Sequence, residues 1–287
     1  MSSADGTGRG SAATVGAMAP STLAGLVDLD RYPLDRPGSV GLGTVVADQR
    51  RSLAGRGVSV LPGFVTPAGV DRLVGEADRL APLAHLSDVT GTPYLEAPAD
   101  GFPDGHPRRT LVHTRLRVVA YDLIPPESTL RGLYECPEVL DFVAEVLDRR
   151  PLFRYADPLG ALNLAVMAEG DELGWHFDQT DFVVSVALQS AERGGEFVTA
   201  RHVRSEDDPR YDAVAGVLAG DGEGVESLPM NPGTLMIFEG RRSLHRVTPV
   251  EGPVPRYVGL LAYDTRPGTD SSATLKRIRY GRTAARS

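Results

Sequence analysis

The sequence predicts an α+β domain, an antiparallel sandwich or barrel backed by helices. Three observations carry that expectation. Short apolar or alternating runs at Ala161–Ala168, Gly174–Asp178, Phe182–Gln189, Glu196–Thr199, Thr234–Glu239 and Arg256–Tyr263 follow one another with turn signals between them. Two amphipathic helical patterns precede this series, each with one face to bury. The chain has 287 residues, of which 41% are hydrophobic, enough for a sizeable core.

Residues 1–22 are mostly Gly, Ala, Ser and Thr and read as a flexible leader, leaving 23–287 as a single domain. The first helical pattern starts at Thr66, a capping residue, with Pro67 at the first helical position, where its missing N–H costs nothing. Val70, Leu73, Val74, Ala77 and Leu80 then recur at helical spacing. Tyr94–Thr110, rich in Pro, Gly and charge, reads as a surface loop or lid. A second helix is expected from near Pro137, with Val139, Phe142, Val143, Val146 and Leu147 on one face. Residues 57–150 are thus expected as helical support for a strand-rich core at about 151–268. The charged, Gly-rich stretch Ala200–Ser227 interrupts the strands as an excursion with a short helix near Tyr211–Leu218. Gly194-Gly195 and Pro232-Gly233 punctuate strand reversals.

Composition narrows the function classes. No run approaches the ~18 apolar residues of a membrane span, and no basic cluster leads into an apolar stretch at the N-terminus. The expected location is the cytoplasm. One cysteine, Cys136, permits neither an internal disulfide nor a multi-cysteine metal site. With 30 Lys+Arg against 38 Asp+Glu the net charge is −8, which argues against a nucleic-acid partner. A small molecule is the expected substrate, and a homodimer is compatible with the size.

The chemistry concentrates in Gly174-Trp175-His176-Phe177-Asp178. On an extended strand, residues two apart share a face, so His176 and Asp178 would project together. His245, after the strand at Thr234–Glu239, can supply a second imidazole. Two histidines and one carboxylate on one face of an iron leave the opposite positions open. Taken singly, a His-x-Asp triplet among six histidines is as compatible with a structural pair, and His245 with a surface or capping residue. Arg256 adds a further sign. A guanidinium entering a barrel interior needs an anion, supplied either by a dicarboxylate ligand on its fork or by Asp264 or Glu239 as a structural bridge.

The run LNLAVMAEGDELGWHFDQTDFVVSVALQSAERGGEF, followed by NPGTLMIFEGRRSLHRVTPVEGPVPRYVGLLAYDTRPG, resembles the Fe(II)/2-oxoglutarate-dependent oxygenase superfamily. Within it, LGWHFD, GGEF, PGTLMIF and GRRSLHRVTPV are most similar to a bacterial branch of amino-acid hydroxylases and radical halogenases. The resemblance implies a double-stranded β-helix (jelly-roll, cupin-like) core with helices packed on one sheet. It further implies Fe(II) on His176, Asp178 and His245, 2-oxoglutarate anchored by Arg256, and dioxygen as the second cosubstrate. Halogenating members of the branch carry a small residue in place of the acidic ligand. Asp178 fills that position, so hydroxylation or a related oxidation of a small amino-acid-like or polar metabolite is expected, with release of succinate and CO2.

Asn163 alternates with Ala165 and Met167 and is expected to face the barrel interior, where its amide serves either a cosubstrate carboxylate or a neighbouring backbone group. Trp175 reads as core, pointing away from the metal, and Arg246 as an exposed turn residue or a contributor to cosubstrate or substrate binding. His113, Arg115 and Arg117 alternate and could meet an anion or form a solvated basic edge. Arg108, Arg109, Arg201, His202 and Arg204 are further polar candidates. The last strand is apolar at Val258, Leu260 and Ala262, which departs from the polar side chains that lysine-binding members place there. Two rival readings use the same triad: a Zn or Mn isomerase or hydrolase, and a catalytically silent metal-binding module.

Overall fold

The computed structural model describes residues 23–286; the expected leader at 1–22 lies outside them. In chain order the elements are α1 (Val40–Arg56), β1 (Val58–Leu61), α2 (Pro67–Leu80), β2 (His85–Gly91), β3 (Val112–Val119), α3 (Thr129–Glu135) and α4 (Pro137–Leu147). Then follow β4 (Phe153–Arg154), β5 (Leu162–Met167), β6 (Glu172–His176), β7 (Val183–Gln189), β8 (Arg193–Gly194), β9 (Phe197–Ala200), α5 (Tyr211–Ala219) and β10 (Val225–Leu228). The last are β11 (Leu235–Phe238), β12 (Leu244–Val247), β13 (Val250–Glu251), β14 (Arg256–Leu261), β15 (Tyr263–Asp264) and α6 (Ala273–Tyr280).

One curled 11-stranded sheet carries the fold, in the order β1-β11-β7-β14-β5-β3-β6-β12-β9-β10 with β2 added on β3. Every pairing in it is antiparallel. The curl turns at β3. One of its edges pairs with β2, and the other is shared: Arg117–Val119 bond β5, while Thr114 and Arg115 bond β6. The two arms then face each other as the half-barrel of a jelly roll, open between β1 and β10. The fold class is therefore α+β with a jelly-roll core.

Strand alternation sorts the side chains. Leu162, Leu164 and Val166 on β5, Val184 and Val186 on β7, and Leu235 and Ile237 on β11 face the helices. Ala165, Met167, Met236, Phe238 and Val258 face the interior. Helix α2 begins as its sequence dictates, with the Thr66 hydroxyl accepting from Gly69 N at 3.0 Å and Leu73, Ala77 and Leu80 buried. On α4, Val139, Phe142, Val143 and Val146 are buried, and Phe142 stacks on Phe64 with centroids 6.1 Å apart. Burying such a side chain contributes ~2–3 kcal/mol.

Residues 57–150 are not helical support alone. They also supply β1, β2 and β3, and β3 lies inside the sheet. It alternates as a half-buried strand does, with Val112, Thr114, Leu116 and Val118 on one face and His113, Arg115 and Arg117 on the other. Each has an acidic partner: His113 meets Glu172 and Asp88 at 2.9 Å each, Arg115 meets Asp88 at 2.6 Å, and Arg117 meets the buried Asp171. Helix α1 was also unexpected. It buries only Leu42, Val46 and Leu53, too thin a stripe for periodicity to detect. It ends at Gly57, whose φ of 66° suits the left-handed cap that glycine adopts without a Cβ penalty. Among the described residues no helix is long and apolar enough to cross a membrane.

Candidate metal centre and cavity

The centre is built at the end of two paired strands. His176, the last residue of β6, is registered directly against His245 on β12, and their rings lie 4.1 Å apart. A register irregularity follows between His245 and Val247. Asp178 reaches the pair differently from the expected strand geometry. β6 ends at His176, and Asp178 sits in the following loop, held by its N–H donating to Gly240 O at 3.0 Å. Its carboxylate lies 3.7 Å from His176 Nε2 and 3.3 Å from His245 Nε2. One ligand atom from each residue falls within 4.8 Å of the others. A Cβ at Gly240 would collide with the Asp178 carboxylate, so the glycine leaves room for it.

The tautomers are set by the backbone. His176 Nδ1 lies 2.8 Å from Gly174 O, and His245 Nδ1 lies 3.0 Å from Ser243 O. A carbonyl only accepts, so each Nδ1 carries the proton and each Nε2 presents a lone pair toward Asp178. Burial, and next the neighbouring His245, push the His176 pKa down to about 3, keeping it neutral. Asp178 Oδ2 is buried without a hydrogen-bond partner. Three lone-pair donors thus converge on one small volume with no proton to share, an arrangement that a divalent cation satisfies.

Arg256 opens β14 and is 7% exposed. Its only polar contact among the described residues is Nη1 to Met167 Sδ at 3.7 Å. Neither structural bridge forms: Glu239 bonds His202 Nε2 at 2.6 Å, and Asp264 accepts from Thr269 Oγ1 at 2.8 Å. Burial alone lowers the Arg256 pKa to about 10. Gly195, at φ 64°, leaves space for the arginine stem, since a Cβ there would sit 3.0 Å from Arg256 Cδ.

Asn163 faces the interior, but its amide is occupied. Nδ2 donates to Leu159 O at 2.9 Å and Leu162 O at 2.8 Å, and Oδ1 accepts from Tyr280 at 2.8 Å. With both amide hydrogens on backbone carbonyls, Asn163 has no donor left for a cosubstrate carboxylate. Of the two expectations for this amide, these contacts are those of the backbone-satisfying one.

The triad and Arg256 line one cavity of about 220 Å³, whose other walls include Met167, Met236, Phe238, Val258 and Leu260. Ser185 Oγ also faces it, buried and unpartnered. The other basic candidates are engaged elsewhere. Arg108 pairs with Glu96, Arg109 with Asp104 at 2.9 Å, and Arg201 with Glu226 at 2.6 Å. Arg204 lies 3.8 Å from the Phe177 ring centroid. Arg246 is half-buried on β12 and not on a turn, with its guanidinium 4.8 Å from the half-buried Trp175 ring. The residue that precedes the Tyr94–Thr110 loop is tied beside the centre, with Phe177 N–H donating to Pro93 O at 2.8 Å. Sequence reasoning missed Ser185, Tyr280 and Arg279. The last two lie on a helix beyond the final motif, and only the Leu275–Arg279 spacing on α6 could have suggested a cavity-facing pair.

Several solved structures share this fold. An oxidoreductase of the 2OG-Fe(II) oxygenase family from Burkholderia pseudomallei is 17% identical and aligns with a TM-score of 0.51, covering 82% of this chain and 94% of that one. The epimerase SnoN, solved with Fe3+, alpha ketoglutarate and nogalamycin RO, is 15% identical with a TM-score of 0.52, covering 85% of this chain and 96% of that one. AviO1 from Streptomyces viridochromogenes Tue57 is 18% identical with a TM-score of 0.53, covering 78% and 96%. No curated protein sequence matches. Residues 106–278, more than half of the 287, match the family described as HalD, Halogenase D, and the chain belongs to that family.

Proposed function

We propose that the protein is a cytoplasmic Fe(II)/2-oxoglutarate-dependent dioxygenase that hydroxylates an unactivated C–H bond of a small amino-acid-like or polar metabolite in a specialised biosynthetic pathway. The observation that carries this reading is the Asp178 carboxylate beside the Nε2 atoms of two histidines, with Oδ2 unpartnered. It makes the donor set a full two-histidine, one-carboxylate triad, so a halide has no vacated ligand position to take. When bound, Fe(II) and 2-oxoglutarate supply oxidation of a C–H bond by dioxygen, with succinate and CO2 as coproducts.

The chain's own residues supply the rest. His176 and His245 present Nε2 because their Nδ1 protons are tied to Gly174 O and Ser243 O. Asp178 contributes the third ligand and a negative charge. Arg256, buried without a counter-charge, is matched to the distal carboxylate of 2-oxoglutarate through its bidentate fork. An isomerase or hydrolase using the metal alone would leave that guanidinium uncompensated, which favours the oxygenase reading over the Zn or Mn rival. Met236, Phe238, Val258 and Leu260 wall the cavity with apolar surface, which excludes water and orients a substrate.

Anaerobic titration of the apoprotein with Fe(II) and 2-oxoglutarate tests the proposal. It should develop the visible metal-to-ligand charge-transfer band of the chelate, and folded protein without that band would refute it. With substrate, oxygen and chloride present, an oxygenated and not a chlorinated product is expected. A chlorinated product would refute the hydroxylase assignment while leaving the cofactor assignment standing.

A further inference from the structure

The cavity holds a second arginine with no partner in the fold. Arg279 lies on α6, and its spacing from Leu275 turns both side chains to the helix face that closes the cavity beside Tyr155 and Ser271. It is half-buried and makes no side-chain hydrogen bond or ion pair among the described residues. Of the other cations near it, Lys276 is engaged with Asp157 at 3.3 Å and Asp270 at 2.5 Å and Arg282 with Asp122 at 2.6 Å, while Arg277 is exposed to solvent.

Arg256 and Arg279 occupy different levels of the cavity. Arg256 opens β14 opposite Met167, whereas Tyr280, next to Arg279, bonds Asn163, which is registered against Leu260. Four residues of strand separate those levels, about 13 Å at ~3.3 Å per residue. The two arginines therefore enter the cavity from different levels of its wall. Between them the β14 wall is apolar, with Val258 and Leu260. Arg279 also lies one residue beyond the span matched to the family.

We propose that Arg279 grips a carboxylate of the substrate at the rim of the cavity, so that the substrate is a carboxylic acid with its apolar part toward the triad. This rests on the oxygenase reading, which assigns the other arginine to 2-oxoglutarate. A guanidinium fork favours a carboxylate over its neutral amide, which offers fewer acceptors and no charge.

Full-length protein loaded with Ni(II) and 2-oxoglutarate, which binds ligands without turnover, provides the test. The probes are the twenty L-amino acids, their carboxamides and straight-chain C4–C6 carboxylic acids, read by thermal shift and calorimetry. At least one acid should bind, with its carboxamide tenfold or more weaker. Arg279→Gln should weaken that acid by tenfold or more with an unchanged melting temperature and a 2-oxoglutarate Kd within twofold, and Arg279→Lys should fall between. Equal binding of acid and amide, undiminished binding by Arg279→Gln, or no acid bound by the loaded wild type would each overturn the assignment. Loss of 2-oxoglutarate binding in Arg279→Gln would overturn it too, by giving that arginine to the cosubstrate. Wild-type protein unable to bind 2-oxoglutarate at all would instead overturn the oxygenase reading, and this assignment with it.

Discussion

Replacing Arg256 with methionine should move stability and cosubstrate affinity in opposite directions. Burial lowers this guanidinium from its ordinary value to about 10, and a displacement of that size corresponds to about 3 kcal/mol against the charged form at neutral pH. With no counter-charge in the ligand-free fold, that cost is uncompensated, so an apolar side chain of similar length should stabilise the free protein by ~1–3 kcal/mol. At roughly 2–4 °C per kcal/mol for a domain near this size, the melting temperature should rise by several degrees. The same substitution removes a bidentate charge-assisted contact to 2-oxoglutarate. At ~1.5–3 kcal/mol per such hydrogen bond, the Kd should weaken by roughly 10²–10⁴-fold. Thermal unfolding without ligand and calorimetric titration of 2-oxoglutarate into the Ni(II) protein measure the two effects. A variant that melts lower than wild type and keeps its 2-oxoglutarate affinity would refute the reasoning, because that is the behaviour of a structural arginine.

Asp178→Ala should weaken metal binding by more than the roughly 10–100-fold that losing an outer-shell partner costs; competition against a chelator measures it. Gly240→Ala should lower metal affinity while leaving the fold intact by circular dichroism, because its Cβ collides with the Asp178 carboxylate. Asn163→Ala should cost about 1–3 kcal/mol by denaturant titration, from the buried Tyr280 hydroxyl and backbone carbonyls left unpaired, with 2-oxoglutarate affinity retained. His113 is raised above 6.5, chiefly by its hydrogen bonds to Glu172 and Asp88. Its contribution to stability is therefore full below pH 6.5 and lost as pH rises through the higher folded-state value, so His113→Gln should flatten that part of the stability–pH profile.

Most of the centre was legible before any coordinates. His176 and Asp178 are near neighbours in the chain, and Arg256 stands out as a charge opening an apolar strand. Parity along β5 correctly separated the interior-facing Asn163, Ala165 and Met167 from the helix-facing Leu162, Leu164 and Val166. What parity could not predict is where a strand stops. β6 ends two residues before Asp178, and the carboxylate is delivered by a backbone bond to Gly240, a residue far along the chain. On β3 the alternation of His113, Arg115 and Arg117 was legible, but their acidic partners Asp88, Asp171 and Glu172 come from remote segments that local sequence does not bring together.

By itself the sequence determined the run of short strands, the His-x-Asp spacing and the charge that opens an apolar strand, because hydrophobic period and donor chemistry are local properties of residue order. Tertiary structure decided how those parts are used. It tied both Nδ1 protons to carbonyls, left Arg256 without a counter-ion and consumed the Asn163 amide on backbone and Tyr280. It also brought Arg279 from the last helix into the same cavity. Each of these is a question of which buried polar group finds a partner, and that depends on distances set when remote strands and helices close on one another.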